Sequence, residues 1–134
     1  MQLNPLSYRR IWLLLGWGMV FTVFVLSLIP LPQEVDLSNN RDKVAHAFAY
    51  LSMTFWFAML FRGRLRQLGV ALAFAAMGVA IEYLQRMTGY RTFDVADMAA
   101  NAIGAGLGWA LAQTPLRNAL DWAERLLGRL GRKA

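Results

Sequence analysis

Residues 11–29 read IWLLLGWGMVFTVFVLSLI, nineteen residues without a charged side chain. At a rise of 1.5 Å per residue, about 20 apolar residues cross the roughly 30 Å of hydrocarbon in a bilayer. Arg9 and Arg10 precede the stretch and Pro30 ends it, a shape that a secretory signal peptide shares. Because the stretch is long for a signal peptide and no A-x-A-like cleavage site follows it, we interpret it as an uncleaved transmembrane helix.

The composition of the whole chain also favours a membrane protein. Of 134 residues, 57% are hydrophobic and 16% are charged, whereas soluble domains average about 45–50% and about 25%. The length predicts a single domain, residues 1–134. The absence of Cys excludes a disulfide framework, a thiolate metal site and a thiol nucleophile.

Three further apolar stretches each carry a few polar residues and predict three more spans. The sequence thus predicts an all-α integral membrane protein with four transmembrane helices and a C-terminal amphipathic interfacial helix. The predicted spans are residues 11–29, 44–61, 68–87 and 95–112, and the amphipathic helix is predicted at about residues 115–130.

The C-terminal segment separates its side chains by helical face. Leu116, Leu120 and Leu127 fall on one half of the helical wheel, and Arg117 and Glu124 on the other. This pattern predicts a helix lying on the inner leaflet. The alternative is a helix that binds a partner protein or a second copy of the chain.

The distribution of charge predicts the orientation. With both termini in the cytoplasm, the inner side carries ten cations and two carboxylates, and the outer side carries four cations and six carboxylates. This asymmetry is the one that the positive-inside rule describes for an even number of spans. The net charge of +6 is then a consequence of topology. We expect no nucleic-acid binding, since no basic stripe with interleaved aromatic residues occurs.

Ionisable side chains within membrane helices are costly and usually face the bundle interior or a wet cavity. Here they lie at the outer ends of the second, third and fourth predicted spans, so helices of alternating direction bring them to one level. Asp97 and Asn101 also share a helix face with Gly104 and Gly108, small residues that permit close helix contact. We therefore expect these polar groups to point into the bundle.

The same residues form three blocks: D-K-x-x-H-x-x-x-Y at residues 42–50, E-x-x-Q at residues 82–85, and R-x-x-D-x-x-D-x-x-x-N-x-x-G at residues 91–104. In this order they resemble the VanZ-like family of small four-span bacterial membrane proteins, over about residues 27–111. The resemblance implies a multi-pass protein of the bacterial cytoplasmic membrane, with a named relative that confers resistance to teicoplanin-type glycopeptide antibiotics. It implies no defined reaction, and it does not extend to the amphipathic segment.

Our preferred hypothesis is an outward-facing site that binds or processes the polar or phosphate-bearing headgroup of a lipid-linked cell-envelope compound. Arg and Lys side chains suit phosphate or carboxylate. If the site performs chemistry, the candidates are an imidazole, which changes protonation near neutral pH, and carboxylates that exchange protons or orient partners. The catalytic candidates are His46, Glu82, Asp94 and Asp97, and the ligand-binding candidates are Asp42, Lys43, Tyr50, Gln85, Arg86, Arg91 and Asn101.

Two alternatives stay open. In the first, the polar residues form an interhelical lock in a non-enzymatic structural or partner-binding protein. In the second, His46, Glu82, Asp94 and Asp97 offer imidazole and oxygen ligands to a divalent cation, although no cofactor is predicted. The expected partners are membrane lipids, a lipid-linked envelope precursor and, through the C-terminal helix, a second copy or another protein.

Overall fold

The computed structural model describes residues 6–30, 41–90 and 93–130. In chain order its helices are α1 (Arg9–Leu28), α2 (Arg41–Leu60), α3 (Arg64–Thr88), α4 (Val95–Leu111) and α5 (Ala119–Leu130), and a 3-10 turn at Pro115–Asn118 precedes α5. Within these three described ranges there is no β-strand. The all-helical part of the predicted fold class is thereby confirmed.

Two of the described helices are both long and apolar enough to cross a bilayer. They are α1, with a mean hydropathy of 2.2, and α3, with a mean hydropathy of 1.6. α4 has 17 residues, and it becomes a third candidate only together with Pro115–Arg129, from which it is bent by 76°. Asp42, Lys43 and His46 fall in the first two turns of α2 and lower its hydropathy. Separate spans at α2 and α4 therefore stay a prediction.

Small residues bring the helices around the polar residues together. A Cβ atom at Gly104 of α4 would collide with the backbone carbonyl of Ala47 in α2. A Cβ atom at Gly78 of α3 would lie 2.9 Å from the Cβ atom of Asn101 in α4. Backbones that approach this closely gain van der Waals contact, which drives helix association in lipid. α1 packs more loosely, and among its described residues Gly16 is the one that is buried.

The connection between α2 and α3 is short and lies on the side where α1 begins. Gly63 has a φ of +93°, which lets the chain reverse sharply, and α3 starts at Arg64, four residues before the predicted start of the span. The side-chain amide of Gln67 donates to the carbonyls of Ala58 (3.0 Å) and Phe61 (3.2 Å). The carbonyl of Ala58 also accepts from the backbone N–H of Phe61 at 3.4 Å, so Gln67 adds a second donor at the end of α2, where carbonyl groups lack i+4 partners.

The apolar core lies at this same end of the bundle. It contains Phe57 and Leu60 of α2 and Leu120 of α5, all buried. In the second half of α5, Leu126 and Leu127 are exposed. α5 therefore packs on the bundle by its first turn and leaves apolar side chains uncovered further along, and its position on the membrane surface stays a prediction.

Candidate functional site

The candidate site lies at the opposite end of the bundle, where α2 begins, α3 ends and α4 begins. Three helices contribute polar side chains there, and hydrogen bonds or ion pairs join most of them. We call this group the polar cluster, and it comprises Asp42, Lys43, His46, Glu82, Asp94, Asp97 and Asn101. The expectation that residues far apart in the chain meet at one level therefore agrees with the described geometry.

Lys43 connects α2 to the start of α4. Its Nζ lies 2.7 Å from Oδ2 of Asp94 and 3.2 Å from Oδ1 of Asp97. Asp94 is also the N-cap of α4, since its Oδ1 accepts a hydrogen bond from the backbone N–H of Ala96 at 2.8 Å. The ammonium of Lys43, followed by the N–H of Ala96, holds the pKa of the Asp94 carboxyl below its ordinary value. Asp94 thus remains an anion that orders both helix ends.

His46 is held between two helices. Its Nδ1 lies 3.1 Å from Oδ1 of Asn101, a side chain that is almost completely buried. Its Nε2 faces two carboxylate oxygens, Oδ1 of Asp42 at 3.7 Å and Oδ2 of Asp97 at 4.0 Å. The ring therefore has one nitrogen in a close hydrogen bond and the other directed at a pair of anionic groups.

Glu82 is the most buried carboxylate of the polar cluster, with 1% of its surface exposed. Its Oε1 accepts a hydrogen bond from the backbone N–H of Asp94 at 2.6 Å, which joins the end of α3 to the start of α4. Its Oε2 has no hydrogen-bond partner among the described residues. A backbone amide, rather than an Arg or Lys side chain, is thus the described partner of this carboxylate.

Tyr50 lies one helical turn below His46 on α2. Only 1% of it is exposed, and its hydroxyl has no hydrogen-bond partner within the described ranges. The hydroxyl is near enough to Glu82 for that charge to act on it. The predicted stacking of His46 and Tyr50 on one face thus brings Tyr50 beneath the polar cluster.

The remaining predicted ligand residues take other positions. The Gln85 side-chain amide donates to the carbonyl of Ser27 in α1 at 2.8 Å, so Gln85 joins α3 to α1. The guanidinium of Arg86 lies over the ring of Phe93, 5.7 Å from its centroid, and Arg86 is exposed. Within the described ranges no carboxylate pairs with Arg86. Arg91 lies outside the described residues.

Sequence reasoning missed a second set of polar contacts at the other end of the bundle. The Gln113 side-chain amide donates to Oε1 of Gln67 at 3.0 Å, and Arg64 Nε donates to Oε1 of Gln113 at 3.1 Å. Glu124 of α5 accepts hydrogen bonds from the start of α1. Uncharged Gln residues at helix ends and one Glu on a polar helix face carry no periodic signal that identifies their partners.

The chain was compared with family models, with curated proteins and with solved structures. A family model described as VanZ/LLP1 matches residues 9–116, a range that contains the whole polar cluster. An uncharacterized protein of Schizosaccharomyces pombe is 36% identical over 70 residues, which cover 50% of this chain and 43% of that protein. The chain therefore matches less than half the length of that relative. No solved structure matches the chain.

Proposed function

Because the chain belongs to the VanZ/LLP1 family, we propose that it is a multi-pass membrane protein that binds the phosphate-bearing headgroup of a lipid-linked cell-envelope compound. The family name is associated with glycopeptide resistance, and a cell-envelope precursor anchored on lipid would present both a phosphate and an acyl or prenyl chain. The ligand class under test is therefore a phosphate attached to a long apolar chain.

The observation that carries this proposal is a pair of cationic side chains that contact two adjacent residues, Phe93 and Asp94. Lys43 binds the side chain of Asp94, and Arg86 lies over the ring of the preceding residue, Phe93. The two cations therefore flank one short segment between α3 and α4. Arg supplies a planar fork that binds two phosphate oxygens, and Lys supplies a compact point charge.

Apolar side chains next to the cations suit the tail of a lipid. Phe48, five residues after Lys43 on α2, is 69% exposed, and Met87, which follows Arg86 on α3, is 81% exposed. Val95, at the start of α4, is exposed as well. A ligand with a phosphate at the level of the cations would lay its chain along these side chains, and lateral entry from the bilayer would leave that chain in hydrocarbon.

In the proposed topology both termini are cytoplasmic and the polar cluster opens outward. Glu124 binds the N–H groups of Ser7 and Tyr8, so α5 and the start of α1 share one end of the bundle. The polar cluster occupies the other end. An inner end rich in arginine and an outer end rich in carboxylates agree with the positive-inside rule. We propose the bacterial cytoplasmic membrane as the location.

A structural role is the second candidate, and particular contacts favour it. The bond from Gln85 to Ser27, the bond from Asp94 to Glu82 and the contact of Gly78 with Asn101 each join two helices. Hydrogen bonds between membrane helices contribute about 0.6–2 kcal/mol each. In this interpretation the polar cluster holds the helices together and binds no ligand.

Binding of a polyprenyl phosphate distinguishes the two candidates. The full chain in phosphatidylcholine nanodiscs is titrated with polyprenyl phosphate and, separately, with the polyprenol that lacks the phosphate. We expect saturable binding of the phosphate form alone and roughly tenfold weaker binding by the Arg86→Ala variant, because a charged hydrogen bond is lost. The matched control is Arg125→Ala on α5, which should bind like the wild type. Equal binding of both probes, or an unaffected Arg86→Ala variant, contradicts the proposal.

A further inference from the structure

His46 is the one histidine of the chain, and its imidazole is oriented from one side. Nδ1 lies 3.1 Å from the side-chain oxygen of Asn101. Because an amide oxygen only accepts hydrogen bonds, Nδ1 is the donor of this pair, and a neutral ring in this position would have its lone pair on Nε2. Histidines that bind metal ions use this arrangement, in which the second ring nitrogen donates to an oxygen that fixes the ring.

Nε2 of His46 faces two carboxylate oxygens across a gap. The distances are 3.7 Å to Asp42 and 4.0 Å to Asp97, longer than a hydrogen bond of about 2.7–3.2 Å. Two ligand atoms that each bind one ion at about 2.1 Å lie roughly 3–4 Å apart. One ligand atom from each of Asp42, His46 and Asp97 lies within 4.8 Å of the other two. The spacing therefore suits a shared cation.

The ammonium of Lys43 neutralises carboxylate oxygens other than the two that face Nε2 of His46. It binds Asp94 and Oδ1 of Asp97, whereas Oδ2 of Asp97 faces His46. The polar cluster and Arg86 together contain four carboxylates and two cations, so their formal charge is −2 with a neutral imidazole. One divalent cation brings this formal charge to zero.

Glu82 gives a second and independent indication of a ligand. Its Oε2 is buried and has no donor among the described residues, and its Oε1 accepts from the N–H of Asp94, whose side chain shares the ammonium of Lys43 with Asp97. A buried anionic oxygen without a donor lowers stability. A water molecule bound to a nearby metal ion is a strong donor and would satisfy it.

We infer that Asp42, His46 and Asp97 bind a divalent first-row transition-metal ion, with Glu82 accepting a hydrogen bond from metal-bound water. One imidazole nitrogen and two carboxylate oxygens suit Mn²⁺ or Zn²⁺, whereas Mg²⁺ and Ca²⁺ prefer oxygen ligands alone. Asp94, named as a candidate ligand from the sequence, is replaced by Asp42, because the Asp94 oxygens bind Lys43 and the N–H of Ala96. A role of the ion in holding a lipid phosphate rests on the proposed function, but the binding of the ion does not.

The decisive experiment uses Mn²⁺ alone. The full chain, purified with a tag that contains no histidine, is placed in phosphatidylcholine nanodiscs and dialysed against Mn²⁺. Bound metal is counted, and electron spin-echo envelope modulation detects nitrogen coupled to the ion. We expect a single Mn²⁺ per chain with the modulation of an imidazole nitrogen, which only His46 provides. Absence of binding, or bound Mn²⁺ without nitrogen modulation, overturns the inference.

Substitutions then locate the other ligands. His46→Ala and Asp42→Asn are each expected to weaken Mn²⁺ binding at least tenfold, whereas Asp121→Asn on α5 removes a carboxylate at the other end of the bundle and should leave binding unchanged. An Asp42→Asn variant that binds like the wild type overturns the assigned ligand set. Because no polyprenyl phosphate is added, failure here leaves the polyprenyl phosphate titration as a separate result.

Discussion

Oε1 of Glu124 accepts a hydrogen bond from the backbone N–H of Tyr8 at 2.8 Å, across 116 positions of the chain. The N–H of Ser7 and the indole of Trp12 donate to the same carboxylate, each at 2.8 Å. Tyr8 is the N-cap residue of α1, and its own side chain makes no capping hydrogen bond. A carboxylate from α5 therefore caps α1 and lies at the positive end of its dipole.

Removing this cap is expected to destabilise the bundle. Glu124→Ala leaves two backbone N–H groups and an indole without their acceptor, and hydrogen bonds to charged groups contribute about 1.5–3 kcal/mol. We expect the free energy of unfolding to fall by about that amount, measured in detergent micelles by tryptophan fluorescence. The control is Asp121→Ala, one turn earlier on α5, which should change little. Equal stability of the two variants contradicts the assigned cap.

The cap should also depend on pH. Burial alone would raise the pKa of Glu124, but the hydrogen bonds from Tyr8, Trp12 and Ser7 outweigh it and hold the pKa below its ordinary value of 4.5. A carboxyl whose pKa is lowered on folding stabilises the protein fully above that ordinary value, and the contribution is lost as the pH falls through the folded-state pKa.

We therefore expect the difference in melting temperature between the wild type and Glu124→Gln to be constant from neutral pH to about pH 5 and to shrink at lower pH. Asp94, whose pKa is also lowered, is present in both proteins, so its contribution cancels. Melting curves across this range measure the effect. A difference that grows on acidification would show that another group is responsible.

Two glycines on one helix give a matched test of helix packing. A Cβ atom at Gly104 would collide with the carbonyl of Ala47, whereas one at Gly106 would meet nothing within 4 Å. Gly104→Ala is expected to lower stability by about 1–3 kcal/mol, because α2 and α4 must move apart. Gly106→Ala should be neutral or stabilise by up to about 1 kcal/mol through helix propensity. Thermal unfolding of both variants measures the contrast, and similar losses would contradict the close approach of α2 and α4.

The polar cluster could be predicted from the sequence, because the alternating directions of the helices and the positions of the polar residues along them are enough to bring those residues together. Residues at the start of α2, the end of α3 and the start of α4 must lie at one end of an antiparallel bundle. The hydrogen-bond partner of each polar side chain was less predictable, because backbone N–H and carbonyl groups compete with other side chains for the same hydrogen bonds. Glu82 accepts from the N–H of Asp94, and Gln85 donates to the carbonyl of Ser27. Neither backbone group carries a signal in the sequence.

Two neighbouring side chains on α3 separate ligand binding from helix locking. Glu82→Gln keeps the oxygen that accepts from the N–H of Asp94 but removes the negative charge of the unpartnered Oε2. Gln85→Ala removes the bond to Ser27 of α1, a helix that contributes no residue to the polar cluster. If the polar cluster binds the inferred ion, Glu82→Gln should melt like the wild type and bind Mn²⁺ at least tenfold more weakly, because the amide NH2 cannot accept a hydrogen bond from metal-bound water.

Gln85→Ala is then expected to lose about 0.6–2 kcal/mol of stability, the range for a hydrogen bond between membrane helices, and to bind Mn²⁺ normally once folded. Thermal unfolding and nanodisc titration of the same preparations provide both measurements. The opposite pattern, in which Glu82→Gln melts early but binds like the wild type, assigns the buried carboxylate to the interhelical lock. The charge of Glu82 serves a ligand only if its removal weakens binding without loosening the fold.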